Sequence, residues 1–282
     1  MYSFLKHGAF KTLKKFSVLL PIYDRLFLKT SIVGCVEAIF LNSLLPDEVV
    51  IVCDGPLSWD LEKQISEYPF YTSIKFVNLR INVGLAKALN IGLQACNNDI
   101  IARVDADDFC HPDRFIQQMA LMDQGYNFVG SNIQEIDENG KKLKQRIVPE
   151  KKSEIVSFSM RRNPFNHMSM MYSKQFVMKI GGYPEFYLKE DYALWVLMLA
   201  DPEAKPYNIQ TCLMSATAGT AMYSRRTSIR ILAQEYKMQQ LLYVKLGKSL
   251  RLCFGDFIIR SSFFFLPAIL KKIVYTIVLR KK

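Results

Sequence analysis

The chain has 282 residues, of which 50% are hydrophobic and 22% charged, and this composition excludes an intrinsically disordered protein. The formal net charge is +11, but the excess lies at the two ends. Residues 1–15 hold four lysines and no acid, and residues 245–282 hold nine basic residues and one acid. Because the body between them is near neutral, we do not expect nucleic acid as a partner.

Strand-like and helix-like runs alternate along the first hundred residues. Short apolar strands are predicted at residues 16–23, 48–55, 73–79 and 99–104, with the sequences "FSVLLPIY", "EVVIVCDG", "SIKFVNL" and "DIIARV". Helices are predicted between them, over 27–42, 58–68 and 84–96. This alternation predicts an α/β fold, with a Rossmann-like, mostly parallel sheet that carries helices on both faces.

The regular alternation of strands and helices ends after the fourth strand. The sequence predicts a helix from His111-Pro112-Asp113 to about Gln124, and then a strand and hairpin over 126–148 that turns at Asn139-Gly140. Further helices are predicted over 153–162, 173–180, 190–200 and 226–246. We therefore expect one catalytic-sized domain, residues 1–225, and an amphipathic helical tail, residues 226–282.

The end of the tail, "FIIRSSFFFLPAILKKIVYTIVLRKK", is apolar, aromatic and basic. Its longest uncharged run, Ser261–Leu270, has 10 residues, whereas a membrane-spanning helix needs roughly 18–20. Lysines among Phe and Leu favour an element that lies on an anionic membrane surface. The alternative is a helix packed on the protein's own body. No secretory signal is expected at the N-terminus, where the apolar run is short.

Three carboxylates, Asp105, Asp107 and Asp108, follow the fourth strand, which carries Arg103. Like charges this close repel and need a positive partner. Asp105 and Asp107 project to the same side of an extended backbone, and carboxylate and diphosphate oxygens are preferred ligands of Mg²⁺ and Mn²⁺. The sequence lacks a G-x-G-x-x-G and a P-loop, so any nucleotide must be bound by other means. A solvated acidic loop is the alternative.

Two more stretches carry candidate chemistry. Glu190 and Asp191 open the predicted helix that continues through Trp195. Acids there stabilise a helix through its dipole, and one that faces the sheet edge could act as a base. His167, in "NPFNHMSMMY", precedes a short predicted strand and is either a hydrogen-bonded structural residue or part of a substrate pocket.

Taken in order, these motifs resemble family 2 glycosyltransferases, in particular the bacterial subgroup that builds surface polysaccharides such as O-antigen, capsule and exopolysaccharide. The resemblance spans residues 16 to about 240. The motifs that carry it are "FSVLLPIY", "PDEVVIVCDGPL", "NVGLAKALNIGL", "IARVDADDFCHPDRF", "RNPFNHMSMMY", "GGYPEFYLKEDYALW" and "YSRRTS". It implies the GT-A fold and transfer of a sugar from a nucleoside diphosphate with inversion at the anomeric carbon.

The resemblance also implies roles for individual residues. Asp191 would be the general base, and Asp107 would ligate the Mg²⁺ or Mn²⁺ ion on the diphosphate. Asp54 would hydrogen-bond the nucleoside base. The other residues expected to bind the nucleotide sugar are Pro21, Tyr23, Asn82, Lys87, Arg103, Asp105 and Arg226. The residues expected to line a donor or acceptor pocket are Asp108, His167, Glu190 and Trp195.

The resemblance implies an enzyme that adds a single sugar, since "YSRR" is not the Q-x-x-R-W motif of processive synthases. The expected donor is a nucleoside-diphosphate sugar, with UDP favoured by Asp54, and the expected acceptor is a polyprenyl-diphosphate-linked glycan. We expect a cytoplasmic protein bound peripherally to the inner face of the plasma membrane. Two alternatives are a catalytically silent scaffold subunit, which need not retain these acids, and a sugar nucleotidyltransferase, for which the Gly-rich loop after strand one is missing.

Overall fold

The structure is a computed structural model that describes residues 14–137, 139–217 and 230–265. Its strands are β1 (Phe16–Ile22), β2 (Glu48–Cys53), β3 (Ile74–Asn78), β4 (Ile100–Arg103), β5 (Phe109–Cys110), β6 (Phe128–Ile136), β7 (Lys142–Arg146), β8 (Met171–Ser173) and β9 (Pro206–Thr217). Its helices are α1 (Leu26–Phe40), α2 (Leu61–Ile65), α3 (Leu85–Ala95), α4 (Arg114–Asp123), α5 (Lys152–Ser159), α6 (Lys174–Lys179), α7 (Glu190–Ala200), α8 (Arg230–Leu246) and α9 (Leu250–Phe265).

The strands form one sheet in the order β3-β2-β1-β4-β8-β6-β9-β5, with β7 paired to β6. The first four strands in this order are parallel, and in the centre Val18 of β1 lies between Val49 of β2 and Ala102 of β4. Every residue of β1 is buried, because helices cover both faces of this half. The predicted α/β sheet with helices on both faces is confirmed.

The hydrogen-bonded pairing between β1 and β4 ends before Pro21. Leu19 on the same edge of β1 accepts a hydrogen bond from the Val104 amide at 3.1 Å. Pro21 is the next residue whose backbone faces β4, and it has no N–H to donate. The pairing stops there, and the chain beyond β4 leaves β1 with the three carboxylates Asp105, Asp107 and Asp108, of which Asp107 is the predicted metal ligand.

The second half of the sheet is mixed. β8 is antiparallel to both β4 and β6, β9 is parallel to β6, and β5 is antiparallel to β9. The sequence did not predict β9, "PYNIQTCLMSAT", because polar residues interrupt its apolar ones without regular alternation. Its place is set by long-range pairing with β6, which includes two register shifts.

Two apolar clusters fill the space on either side of the sheet. Helices α1 and α4 pack on one face through residues such as Val36 and Phe115. Helices α3, α6 and α7 pack on the other through residues such as Leu89, Val177 and Trp195. The helix that carries the predicted base is therefore anchored in the core along most of its length.

The described part of the tail forms two helices that pack on the body. Met238 and Leu242 of α8 lie against Tyr192 and Val196 of α7, and α9 packs on α8. Residues 218–229, which include Arg226, and residues 266–282 lie outside the described residues. None of the described helices is long and apolar enough to cross a membrane.

Candidate active site

The carboxyl end of β2 holds the loop that leads into α3. The Asp54 carboxylate accepts hydrogen bonds from the backbone amides of Val83, at 2.7 Å, and Gly84, at 3.1 Å. The Asn82 side-chain amide donates to the Asp54 carbonyl at 3.1 Å. Gly84 has φ of +89°, which favours glycine at this entry to the helix. Each carboxylate oxygen can accept a second hydrogen bond, so these contacts leave room for a nucleoside base. That role of Asp54 stays a prediction.

The three other predicted nucleotide-binding residues near this edge lie in different settings. Pro21 is buried within β1, whereas Tyr23 lies just beyond it, with the Arg25 guanidinium 4.4 Å from its ring centre. Lys87 is exposed on α3, and its Nζ lies 3.3 Å from a carboxylate oxygen of Glu185. The Lys87–Glu185 pair joins α3 to the loop before α7.

Arg103 is a buried cation at the centre of the candidate site. Its side chain is 1% exposed, and its Nη1 lies 2.5 Å from Asp105 Oδ1. Burial raises the pKa of the Asp107, Asp108, Glu190 and Asp191 carboxyl groups, and the charge of Arg103 acts in the opposite direction on all four. Arg103 therefore holds Asp105 from within the protein, and its charge acts on acids of both the loop after β4 and the start of α7.

The other two acids after β4 differ in exposure. Asp108 is 3% exposed, and its Oδ1 accepts a hydrogen bond from the Thr217 amide at 3.1 Å. The Thr217 hydroxyl donates to the Asp107 carbonyl at 2.7 Å. Asp108 thus ties the acidic loop to the end of β9, whereas the half-buried Asp107 side chain is the more accessible of the two.

Burial and mutual repulsion act on both carboxylates. Burial, and then the charge of Asp105, raise the pKa of Asp107 to about 6. The same two causes raise the pKa of Asp108 well above its usual range, and its Oδ2 has no hydrogen-bond partner within the described ranges. The cluster holds more negative charge than Arg103 neutralises, which is the setting that a cation would stabilise.

The number of protein ligands is small. In the part of the chain that the structure describes, no three side chains of His, Cys, Asp or Glu converge as a metal site. A divalent cation near Asp107 would have to complete its shell with water and with oxygens of a bound diphosphate, which is the usual pattern for Mg²⁺. The residues present fit an ion that arrives with a nucleotide better than a permanently held one.

Asp191 is held in a defined orientation at the start of α7. Its Oδ2 accepts a hydrogen bond from the Asn163 side chain at 2.6 Å, and its Oδ1 accepts one from the Tyr192 amide at 2.7 Å. Burial raises its pKa above the usual value. Burial, and then the charge of Asp191, raise the pKa of Glu190 to about 7. An oriented carboxylate with a raised pKa has the properties of a general base.

His167 and Trp195 belong to an aromatic cluster beneath the edge of the sheet. His167 Nε2 lies 3.0 Å from the Tyr183 hydroxyl, which lies 3.0 Å from the Tyr172 hydroxyl. Burial, and then the charge of Arg103, lower the pKa of His167 well below its usual range, so the ring is neutral. Trp195 is completely buried against His167 and Phe165. Both residues support the site from the core and do not line an open pocket.

Sequence reasoning did not single out Asn163 or Thr217. Asn163 lies within the quoted stretch "RNPFNHMSMMY", but only the fold brings its amide to Asp191, 28 residues further on. Thr217 ends a strand that the sequence did not predict, and its partner Asp107 is 110 residues away. No local pattern marks either contact.

Solved structures of another protein share the architecture of this chain. TarS of S. aureus, residues 1–349 in complex with UDP-GlcNAc, superimposes with a TM-score of 0.64 at 19% identity, over 81% of this chain and 66% of that chain. The longer TarS structure gives a TM-score of 0.62 at 17% identity, and the present chain spans 40% of its length. The fold is GT-A, as the resemblance implied.

The model of Glycosyl transferase family 2 matches residues 17–183. The chain belongs to this family and is a glycosyltransferase. An uncharacterised glycosyltransferase of Haemophilus influenzae is 36% identical over 95% of this chain and all of its own length. The amylovoran biosynthesis glycosyltransferase AmsE of Erwinia amylovora is 34% identical over 80% of this chain and 85% of its own. The UDP-Gal:alpha-D-GlcNAc-diphosphoundecaprenol beta-1,3-galactosyltransferase of Escherichia coli is 34% identical over 95% and 97%.

Proposed function

We propose that this glycosyltransferase moves a single sugar from a nucleoside-diphosphate sugar, with UDP as the favoured nucleotide, to a polyprenyl-diphosphate-linked glycan in surface polysaccharide synthesis. One observation carries the proposal: the buried Arg103 pairs with Asp105 after β4, and its charge also acts on the Glu190 and Asp191 carboxylates of α7. This supports a donor site and a base at the same edge of the sheet. The Escherichia coli relative, whose name specifies UDP-Gal and a diphosphoundecaprenol-linked acceptor, supports the choice of both substrates.

The donor would lie along the carboxyl ends of β1, β2 and β4, where open α/β sheets bind ligands. Tyr23 and Asp54 would contact the nucleoside, and Asp105, fixed by Arg103, would contact the ribose. Asp107 would hold Mg²⁺ or Mn²⁺ on the diphosphate. When bound, such an ion neutralises the charge that develops on the leaving group. TarS, which shares the fold, has been solved in complex with UDP and with UDP-GlcNAc, which supports a nucleotide sugar as the donor.

The reaction needs a base on the face of the sugar opposite the leaving diphosphate. Asp191 would remove the proton from the acceptor hydroxyl while that oxygen attacks the anomeric carbon. The new glycosidic bond forms as the bond from the anomeric carbon to the diphosphate oxygen breaks, and the proton stays on Asp191. The Asn163 amide donates a hydrogen bond to the Asp191 carboxylate at 2.6 Å, and this bond would fix the orientation of the base during the attack. A direct displacement of this kind inverts the anomeric configuration.

A transfer assay tests the proposal as a whole. The full chain is incubated with Mn²⁺, a panel of UDP-sugars and a synthetic GlcNAc-diphosphate-prenyl acceptor, and the product is examined by mass spectrometry and NMR. We expect one sugar to be added, with the anomeric configuration opposite to that of the donor. A polymer, or retention of configuration, would contradict the proposal. Nucleotide binding without transfer to any lipid-linked acceptor would favour a silent scaffold.

The exposed face of α9 supports binding to a membrane surface. Leu250, Phe254 and Ile258 recur every fourth residue, so they form one apolar stripe, and they are 64%, 67% and 49% exposed. Arg251 is exposed beside the stripe. The sequence beyond α9 continues with apolar and basic residues. Apolar side chains combined with lysine and arginine favour an anionic lipid surface, on the cytoplasmic leaflet in this proposal.

Deletion of residues 251–282 is expected to release the protein from vesicles that contain phosphatidylglycerol, as measured by co-sedimentation. A variant with Leu250→Ser, Phe254→Ser and Ile258→Ser should lose most of the binding while it keeps the buried side of α9. The matched control replaces three exposed apolar residues elsewhere, Ile81, Leu143 and Ile147, with serine. The control should bind like the wild type. Undiminished binding by the deletion variant would exclude the tail as the membrane anchor.

A further inference from the structure

Buried charged and polar side chains link the C-terminal helices to the start of α7. The Nζ of Lys189, the residue before α7, forms an ion pair with the Glu235 carboxylate of α8. Glu235 is 4% exposed and also accepts a hydrogen bond from Gln239 at 2.6 Å. Burial alone would raise the pKa of Glu235, but Lys189 and Arg260 outweigh burial and lower it. The Glu235 carboxylate is therefore ionised, and both Lys189 and Gln239 contact it at the junction of α7 and α8.

The network continues into α9. Lys248, between α8 and α9, is 2% exposed and donates to Gln239 at 2.7 Å and to Asp256 at 2.6 Å. Removing one member of such a network leaves a buried charge without its partner, and this is costly. The two helices, α8 and α9, form a hairpin that is fixed by paired charges in addition to apolar contacts.

A second arm of the network reaches the other side of the predicted base. Arg260 of α9 has its Nε 3.5 Å from Glu235 Oε1, and its guanidinium donates a hydrogen bond to the Arg161 carbonyl. Arg161 lies two residues before Asn163, just as Lys189 lies two residues before Asp191. The hairpin therefore contacts both chain segments that form the Asn163–Asp191 hydrogen bond.

The backbone before α7 needs such support. Leu188 has φ of +57°, the only positive φ at a non-glycine residue within the described ranges. A left-handed conformation at such a residue is strained and persists only where the surroundings hold it. Lys189 follows directly, and its ion pair with Glu235 fixes the chain at this point.

We infer that Glu235, together with Lys189 and Arg260, positions Asp191, so that the α8–α9 hairpin sets the rate of the chemical step. The inference rests on the proposed function, in which Asp191 is the base. Glu235 does not touch the substrate and is a positioning residue. The segments that it reaches carry the base and its orienting amide, and none of them carries the acids after β4. The effect should therefore fall on kcat and not on the KM for the nucleotide sugar.

The test is a double-mutant cycle with Glu235→Gln and Asp191→Asn, assayed by single-sugar transfer. Since a small misplacement of a reacting group can cost up to about 10²-fold, we expect Glu235→Gln alone to lower kcat by roughly 10- to 100-fold with KM for the UDP-sugar unchanged. In the Asp191→Asn background the same change should cost nothing further. Glu203→Gln is the matched control, because Glu203 pairs with Lys179 at an exposed position outside the network.

A second variant separates positioning from loss of folding. Lys189→Met combined with Glu235→Met removes both charges of the closest pair, and such replacements often retain stability. Of the charges that contact Glu235, only Arg260 then lacks its carboxylate, and its side chain is 25% exposed. We expect this variant to melt like the wild type and to lose kcat as Glu235→Gln does. Wild-type kcat in a folded double variant, or an equal loss in both backgrounds of the cycle, would overturn the inference. Full turnover by Asp191→Asn alone would instead overturn the proposed base.

Discussion

Asp191→Asn is expected to lower sugar transfer by about 10²–10⁴-fold, the range that a general base contributes, while nucleotide binding is retained. Asparagine has the same shape and can still contact Asn163 and the start of α7, but it cannot accept the proton of the acceptor hydroxyl. The acids predicted to bind the donor lie on a different element, after β4, so the affinity for UDP should not change. Transfer is measured as kcat, and nucleotide affinity by calorimetry.

Asp201→Asn provides the matched control at the other end of α7. Asp201 follows the last residue of the helix, and its carboxylate pairs with Lys179 at 2.9 Å. The change removes one carboxylate from the same region without touching the candidate site, so kcat should stay at the wild-type value. If Asp191→Asn kept wild-type turnover, another group would have to accept the proton, and Glu190 would be the first to examine.

Asp107→Ala is expected to abolish the dependence of nucleotide binding on a divalent cation. In the wild type, Mn²⁺ should strengthen UDP binding, because a carboxylate and the diphosphate share the ion. Without Asp107 the affinities with and without Mn²⁺ should become equal. Asp123→Ala is the control, since Asp123 is an acid near the amino end of β1 that pairs with Lys14 at 3.8 Å. An unchanged Mn²⁺ response in Asp107→Ala would place the ion on other ligands.

The pH dependence of the same titration checks the protonation state of Asp107. Burial, and then Asp105, raise the pKa of this carboxyl group to about 6 in the free protein. A metal must displace the proton below that pH, so the strengthening by Mn²⁺ should fade as pH decreases through 6 and be complete above 7. In Asp107→Ala this pH dependence should disappear.

Much of the fold followed from continuous local patterns. Strands β1, β2 and β4 are apolar runs because the sheet is covered on both faces there, and α7 begins and ends where the sequence placed it, at 190 and 200. Strand β9 could not be predicted in this way. Its polar residue Asn208 is completely buried, and it fits the interior because its side-chain amide donates hydrogen bonds to the backbone carbonyls of Pro149 and Pro164 in distant segments.

The site was predictable in outline only. Placing the acids after β4 on the carboxyl edge of the sheet requires only the alternation of strands and helices. The role of Arg103 depends on how deeply its side chain is buried, which the sequence does not show. The sequence suggested contact with the nucleotide, whereas in the structure the side chain is 1% exposed and paired with Asp105. Whether His167 faces a pocket or the core, and which amide orients Asp191, are decided by contacts between segments far apart in the chain.

The most direct test of the proposed donor chemistry is a calorimetric titration of the full chain with UDP and with GDP, each with and without Mn²⁺. We expect UDP to bind tightly in the presence of Mn²⁺ and weakly in its absence, and GDP to bind poorly in both conditions. Tight binding of GDP alone would overturn the preference for UDP. Absence of binding by either nucleotide would contradict a donor site at the carboxyl edge of the sheet and would favour a scaffold without catalysis.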